Sequence, residues 1–222
     1  MPEGVKGDSP RATRRYTSPR RAQQAAATRR GVLDAATARF EADGYAATTM
    51  EAIATDACVS LKTVYLAFET KSRLLRAVWD LALKGDESDA PVAERSWYVD
   101  VLEEADPSTK LRKAAHHSRL AKERIGGLLG AIRDGAPTDP DVRALWLLIQ
   151  SDFHANQRAI VESLREVRGL ARGLSVDRAT DILWTLNHPD VWLLLVGQRG
   201  WTPTQFERWL ADSLCAQLLD DR

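Results

Sequence analysis

The chain has 222 residues, enough to bury one large core or two small ones, and its 31 lysines and arginines balance its 31 aspartates and glutamates. Two distant cysteines, Cys58 and Cys215, without CxxC spacing exclude a zinc finger and a disulfide framework, and suit a reducing compartment. The longest apolar run, Val191–Val196, is far below the roughly 20 residues that span a bilayer, and the polar, Arg-rich start has no apolar signal core, so a soluble cytoplasmic protein without a membrane partner is expected. The balanced charge is unevenly placed. Residues 1–30 carry eight basic and two acidic groups, and residues 31–84 six and seven, so the first 84 residues are net +5 and the remaining 138 net −5. A basic front and an acidic back point to a polyanion partner at one end only.

Residues 1–24 have few large apolar side chains and are expected to form a disordered basic arm. From Ala25 the pattern turns helical, with Leu33, Ala36 and Phe40 on one face and Gly44 as the stop. Thr48 or Thr49 caps a second helix with Met50, Ile53, Ala54 and Ala57 inward. After the break Cys58-Val59-Ser60, Ser60 caps a short helix to about Phe68, with Val64 inward. Thr70 caps a fourth, with Leu74, Leu75, Val78 and Leu81 inward. The composition shifts after Gly85, and residues 86–96 read as a linker. A short helix follows at Trp97–Leu102, then a long one from Asp106-Pro107 to about Arg133, with Gly126, Gly127 and Gly130 inside it. Asp139-Pro140 opens another long helix to about Arg168. Ser175 opens a helix through Leu186, His188-Pro189 starts a short one, and Thr202-Pro203 opens the last. No segment alternates with period two and no repeat is visible. The expected class is all-α. The expected domains are a three-helix front with its connecting helix over 25–84 and a larger helical domain over 85–222.

Two short helices joined by a three-residue turn make a helix-turn-helix. Small Ala54 lets the helices approach, Val59 plugs the corner, and Ser60 offers a helix N-terminus to a phosphate. Residues 30–75 resemble the TetR family through Leu33-x-Ala35-Ala36, Phe40-x3-Gly44-Tyr45, Thr48-Thr49, Ile53-Ala54, Val59-Ser60-x2-Thr63-Val64-Tyr65-x2-Phe68, Lys71 and Leu74-Leu75. The resemblance implies a DNA-binding transcriptional regulator. In it Thr49, Thr63, Tyr65 and Lys71 touch phosphates, while Ser60, Leu61 and Lys62 face the groove. Thr49 reads equally well as a plain cap. Arg14, Arg15, Arg20 and Arg21 in the arm are candidates for further phosphate or minor-groove contacts, against the plainer role of a solubilising tail. The chain departs from the family at Cys58, where glycine is usual; such a turn position often needs positive φ, costing a non-glycine residue about 1–2 kcal/mol.

The family's rear helices hold the dimer seam and a small-molecule pocket. Trp184-x-Leu186 to Pro189-Asp190-Val191, and Arg199-Gly200-Trp201-x-Pro203 to Glu207-x-Trp209-Leu210, resemble one C-terminal subgroup. Trp184, Phe206, Trp209, Leu210 and Leu214 are the expected homodimer contacts. His117, Trp146, Phe153 and His154 are the candidates for an apolar or aromatic inducer, although a lone histidine on a helix is more often exposed or satisfied in a core, and Trp97 and Trp146 read more simply as core. The ligand is expected to press on the far end of the fourth helix, near Trp79 and Leu83. No cofactor or metal site is expected, and no nucleophile elbow, phosphate loop or paired carboxylate setting suggests an enzyme. The expected function is a dimeric repressor of a palindromic double-stranded DNA operator, released by a small molecule. The alternative is an activator, or a regulator without a ligand.

Overall fold

The computed structural model describes residues 19–84 and 92–220, and every regular element among them is helical. Helix α1 spans Pro19–Ala47. It starts six residues before the apolar periodicity begins, because Pro19 sits at its first turn and Gln23 to Ala27 are strong helix formers without a buried face. Its regular course ends at Gly44, where φ is 74°. Only glycine adopts that conformation without strain, which is why the stop was legible. Helix α2, Met50–Asp56, is capped by Thr49, whose side chain accepts from the Ala52 amide at 3.1 Å. Helix α3, Leu61–Phe68, is capped by Ser60, and α4, Lys71–Lys84, by Thr70. Val64, Phe68, Leu74, Leu75 and Val78 are buried, as their spacing predicts.

A short 3₁₀ turn, Val92–Glu94, leads to α5, Ser96–Glu103. Two long helices follow, α6 at Pro107–Gly135 and α7 at Pro140–Glu166, each opened by an aspartate cap and a proline. Then come α8, Val176–Leu186, and α9, Pro189–Trp192, which runs on as a π-helical segment, Leu193–Gln198. Thr202 and Gln205 cap α10, Pro203–Leu218, reciprocally. No helix of the described residues is long and apolar enough to cross a membrane.

Helix α6 is the axle. It packs against α1, α4, α5, α7 and α10. Its glycines serve close approach: a Cβ at Gly127 would lie 2.9 Å from Glu41 Cγ, and one at Gly135 would lie 2.7 Å from the Tyr45 ring. The apolar interior falls into two clusters. The first unites α1–α4 with Ile125, Leu128, Leu129 and Ile132 of α6 and with Val142, Leu145 and Ile149 of α7. The second joins α5, the first half of α6, the end of α7, and α8 to α10. The front helices thus share their core with the last third of α6 and the first third of α7. Polar ties reinforce the joint: Tyr45 donates to Asp139, and the Ser72 hydroxyl donates to Asp141 at 3.1 Å.

Candidate nucleic-acid interface and ligand cavity

Helix α2, a tight turn and α3 form the helix-turn-helix. The turn is a Schellman closure: the Val59 amide donates to Ala54 O and the Cys58 amide to Thr55 O. Cys58 carries φ 54°, so the glycine-like conformation expected there is present in a cysteine. Replacing Cys58 with glycine is therefore expected to raise the unfolding free energy by about 1 kcal/mol, the left-handed penalty less glycine's extra chain entropy. The check is the midpoint of a urea titration; an unchanged or lower midpoint contradicts it. Val59 is half-buried against the front core, and the side chains of Arg39 and Asp56 lock α1 to the end of α2 through two hydrogen bonds.

Helix α3 presents Lys62, Tyr65 and Leu66 to solvent, with Ser60 exposed at its cap and Thr63 half-exposed. Ser60 and Thr63 hydroxyls lie 2.8 Å apart. Two sequence expectations shift. Leu61 turns inward and packs against the front core, because it lies one turn before the core residue Phe68's neighbour Val64. Leu66 takes the outer place: it is 76% exposed, the most open apolar side chain on α3. The signal was available, since position 66 lies four residues beyond Lys62 on the same outer stripe. Lys71 also departs from the expected outward role. Its ammonium donates to the carbonyls of Tyr45 at 2.7 Å and Thr48 at 2.9 Å, and sits 4.2 Å from the Tyr45 ring centre. Burial lowers its pKa. It ties the chain after Gly44 to α4. Thr49 is exposed and acts as the α2 cap. Arg21 is exposed on α1, while Arg14, Arg15 and the Arg20 side chain lie outside the described residues.

A cavity of about 460 Å³ lies where α4, α5, α6 and α7 meet. Trp79 and Leu83 of α4 line it, as expected for the end of that helix. His117 and Phe153 line it too, and Trp97 stacks on His117 at 5.0 Å between ring centres, so Trp97 is a wall of the cavity rather than sealed core. Burial, then the neighbouring His116, lowers the His117 pKa. Trp146 and His154 are not on the cavity. Trp146 lies a turn too early on α7 and packs against the front core and His188. His154 is rotated one residue past Phe153, against Trp184. The residue missed in the sequence is Lys122. Its ammonium donates to Ser118 Oγ and Asn187 Oδ1, both at 2.6 Å, and burial pushes its pKa down to about 7. Leu111, Ala115, Ser118, Lys122, Ile125 and Leu129 follow one inward stripe of α6, so the register did place a lysine among core positions.

The expected dimer contacts also divide. Phe206, Leu210 and Leu214 are at most 1% exposed and pack within the chain's own rear core. A sixteen-residue helix with one apolar stripe must bury that stripe somewhere, and α6 already takes it. Trp184 and Trp209 remain partly exposed.

Residues 32–78 match the family model described as bacterial regulatory proteins, tetR family. None of the curated proteins compared matches the chain in sequence. Solved structures share the fold. A Mesorhizobium loti protein assigned to the TetR-family transcriptional regulators is 24% identical, over 87% of this chain and 96% of its own, with a TM-score of 0.64. NalD of Pseudomonas aeruginosa, the secondary repressor of the MexAB-OprM multidrug efflux pump, is 20% identical over 90% and 100%, with a TM-score of 0.65. SmeT, the repressor of the Stenotrophomonas maltophilia multidrug efflux pump SmeDEF, also solved with triclosan, is 20% identical over 88% and 93%, with a TM-score of 0.63.

Proposed function

The chain belongs to the tetR family of bacterial regulatory proteins through its front domain, and on that premise we propose that it is a dimeric transcriptional repressor released from its operator by a small molecule. One observation carries the reading. Helix α4 supplies both the packing face of the helix-turn-helix, through Leu74, Leu75 and Val78, and a wall of the cavity, through Trp79 and Leu83. A molecule that presses on Trp79 and Leu83 biases the position of α3, and two α3 helices in a dimer must keep their spacing to fit successive turns of DNA. The efflux-pump repressors of the same fold, one of them solved with triclosan, favour repression over activation and a small-molecule ligand over none.

Lys62 and Leu66 are assigned to base edges, and Ser60, Thr63, Tyr65 and Thr49 to phosphates, with Arg21 and the arm residues Arg14, Arg15 and Arg20 adding backbone contacts. Leu66 fits contact with a thymine methyl. The dimer surface is placed on the outward faces of α8 and α10, around Trp184 and Trp209. The test is DNA binding followed by fluorescence anisotropy at two salt concentrations. Because Lys and Arg displace condensed counterions, affinity is expected to fall steeply with salt. Tyr65→Ala is expected to weaken every duplex alike. A salt-independent affinity, or an unaltered Tyr65→Ala variant, contradicts the reading.

A further inference from the structure

The buried amine on the cavity wall has no acidic partner among the described residues. Lys122 is 4% exposed, and an ammonium carries three donors. Two go to neutral acceptors, Ser118 Oγ and Asn187 Oδ1. Around it lie the ring centres of Phe153 at 5.7 Å and Phe206 at 5.6 Å. No carboxylate lies within ion-pair distance among the described residues. A second buried lysine shows the contrast. Lys110, also on α6, donates to the Leu102 carbonyl at the end of α5 and to Ser163 Oγ, and so ties helices together away from the cavity. Lys122 instead borders open space.

The rest of the lining brings no acidic excess to oppose it: among the described residues Arg124 is a further basic residue of the wall and Asp152 its one acid. The remaining surface is mostly aromatic and aliphatic, including Trp79, Val101, Ile125, Leu129, Ile149 and Ile160. A buried charge is costly unless it is paired, and an anion entering this space would supply the pair while its body covers apolar wall. We propose that the cavity is selective for an amphipathic monoanion, a carboxylate on an aromatic or alkyl body, with the carboxylate received by the Lys122 ammonium in the polar corner made with Ser118 and Asn187. This rests on the reading of the cavity as a ligand site. A cationic drug of the same body would place like charge against Lys122 and is disfavoured.

The test is a panel with one body and three heads: 2-naphthoate, 2-naphthalenemethanol and 2-naphthylmethylammonium, titrated by calorimetry into the full-length protein. The naphthoate is expected to bind at least tenfold more tightly than the alcohol, and the ammonium more weakly than either. In Lys122→Met the naphthoate is expected to lose that advantage over the alcohol, with far-ultraviolet circular dichroism confirming the fold. Ala121→Trp, which fills the cavity from α6, is expected to abolish binding of both. Equal affinities for the three heads, no binding by any of them, an unchanged preference in Lys122→Met, or unchanged binding in Ala121→Trp each overturn the proposal. A naphthoate that binds as expected without loosening DNA upholds the anion site and instead removes the release mechanism, so the two failures are distinct.

Discussion

Lys122→Met is expected to stabilise the unliganded protein, by about 2 kcal/mol at pH 7, and to flatten its stability between pH 7 and pH 9. The folded pKa of Lys122 is pushed down to about 7 by burial, from an ordinary 10.5. Below about 7 both folded and unfolded states hold the proton, and the full cost of burying the charge is present. Between about 7 and 10.5 the unfolded chain holds a proton that the folded chain has lost, so stability rises with pH, by about 1.4 kcal/mol per unit. The methionine variant lacks this slope. Against the gain stand two hydrogen bonds to Ser118 and Asn187, worth about 1 kcal/mol each. The advantage of the variant is therefore largest below about pH 7 and close to gone at pH 9. Thermal midpoints of both proteins at pH 6, 7.5 and 9 check this; a constant difference, or a variant less stable at all three, contradicts it.

Ile132→Ala on α6 is expected to cost about 2–5 kcal/mol, as much as Leu75→Ala within the front helices. Both side chains are fully buried, and both belong to the cluster that joins α1–α4 to the long helices. Two substitutions on opposite sides of the composition break should then lower one shared unfolding transition. Glu41 and Tyr45 pack directly against Gly127 and Gly135, so α1 and α6 are in close contact across the composition break. Calorimetric unfolding of the two variants is the check. Two separate transitions, with Ile132→Ala moving only one of them, contradict a shared core.

Much of this architecture was legible from local chemistry. Thr49, Ser60, Thr70, Asp106, Asp139, Ser175 and Thr202 announce helix starts through short polar side chains, and all of them cap. Gly44 announces a stop by its permitted φ. The helix-turn-helix was legible because it is a local motif whose turn, cap and inward residues lie within twenty positions. Errors arose where a role depends on tertiary neighbours. Phe206, Leu210 and Leu214 have a stripe fit to bury, but the sequence does not say whether α6 or a second subunit covers it. Trp146 and Phe153 lie on one face of α7, yet only the second reaches the cavity, because the first belongs to the height at which the front core closes. Lys71 carries an outward-looking charge in the sequence and is turned inward by two carbonyls freed when α1 breaks at Gly44. Lys122 was overlooked because a lysine is seldom buried.

The central claim is that α3 reads bases in the major groove of a symmetric site. Selection from a randomised duplex pool, carried out with the wild-type chain and with Lys62→Ala, Leu66→Ala and Tyr65→Ala, tests it most directly. The wild type is expected to enrich a near-palindromic sequence with half-sites about one helical turn apart. Tyr65→Ala should enrich the same sequence at lower yield, since phosphate contacts carry no base information. Lys62→Ala and Leu66→Ala should relax the preference at specific, symmetry-related positions, by about 1–3 kcal/mol for each base read. A pool without enrichment, or a consensus unchanged in both Lys62→Ala and Leu66→Ala, would contradict the assignment of α3 as the reading helix.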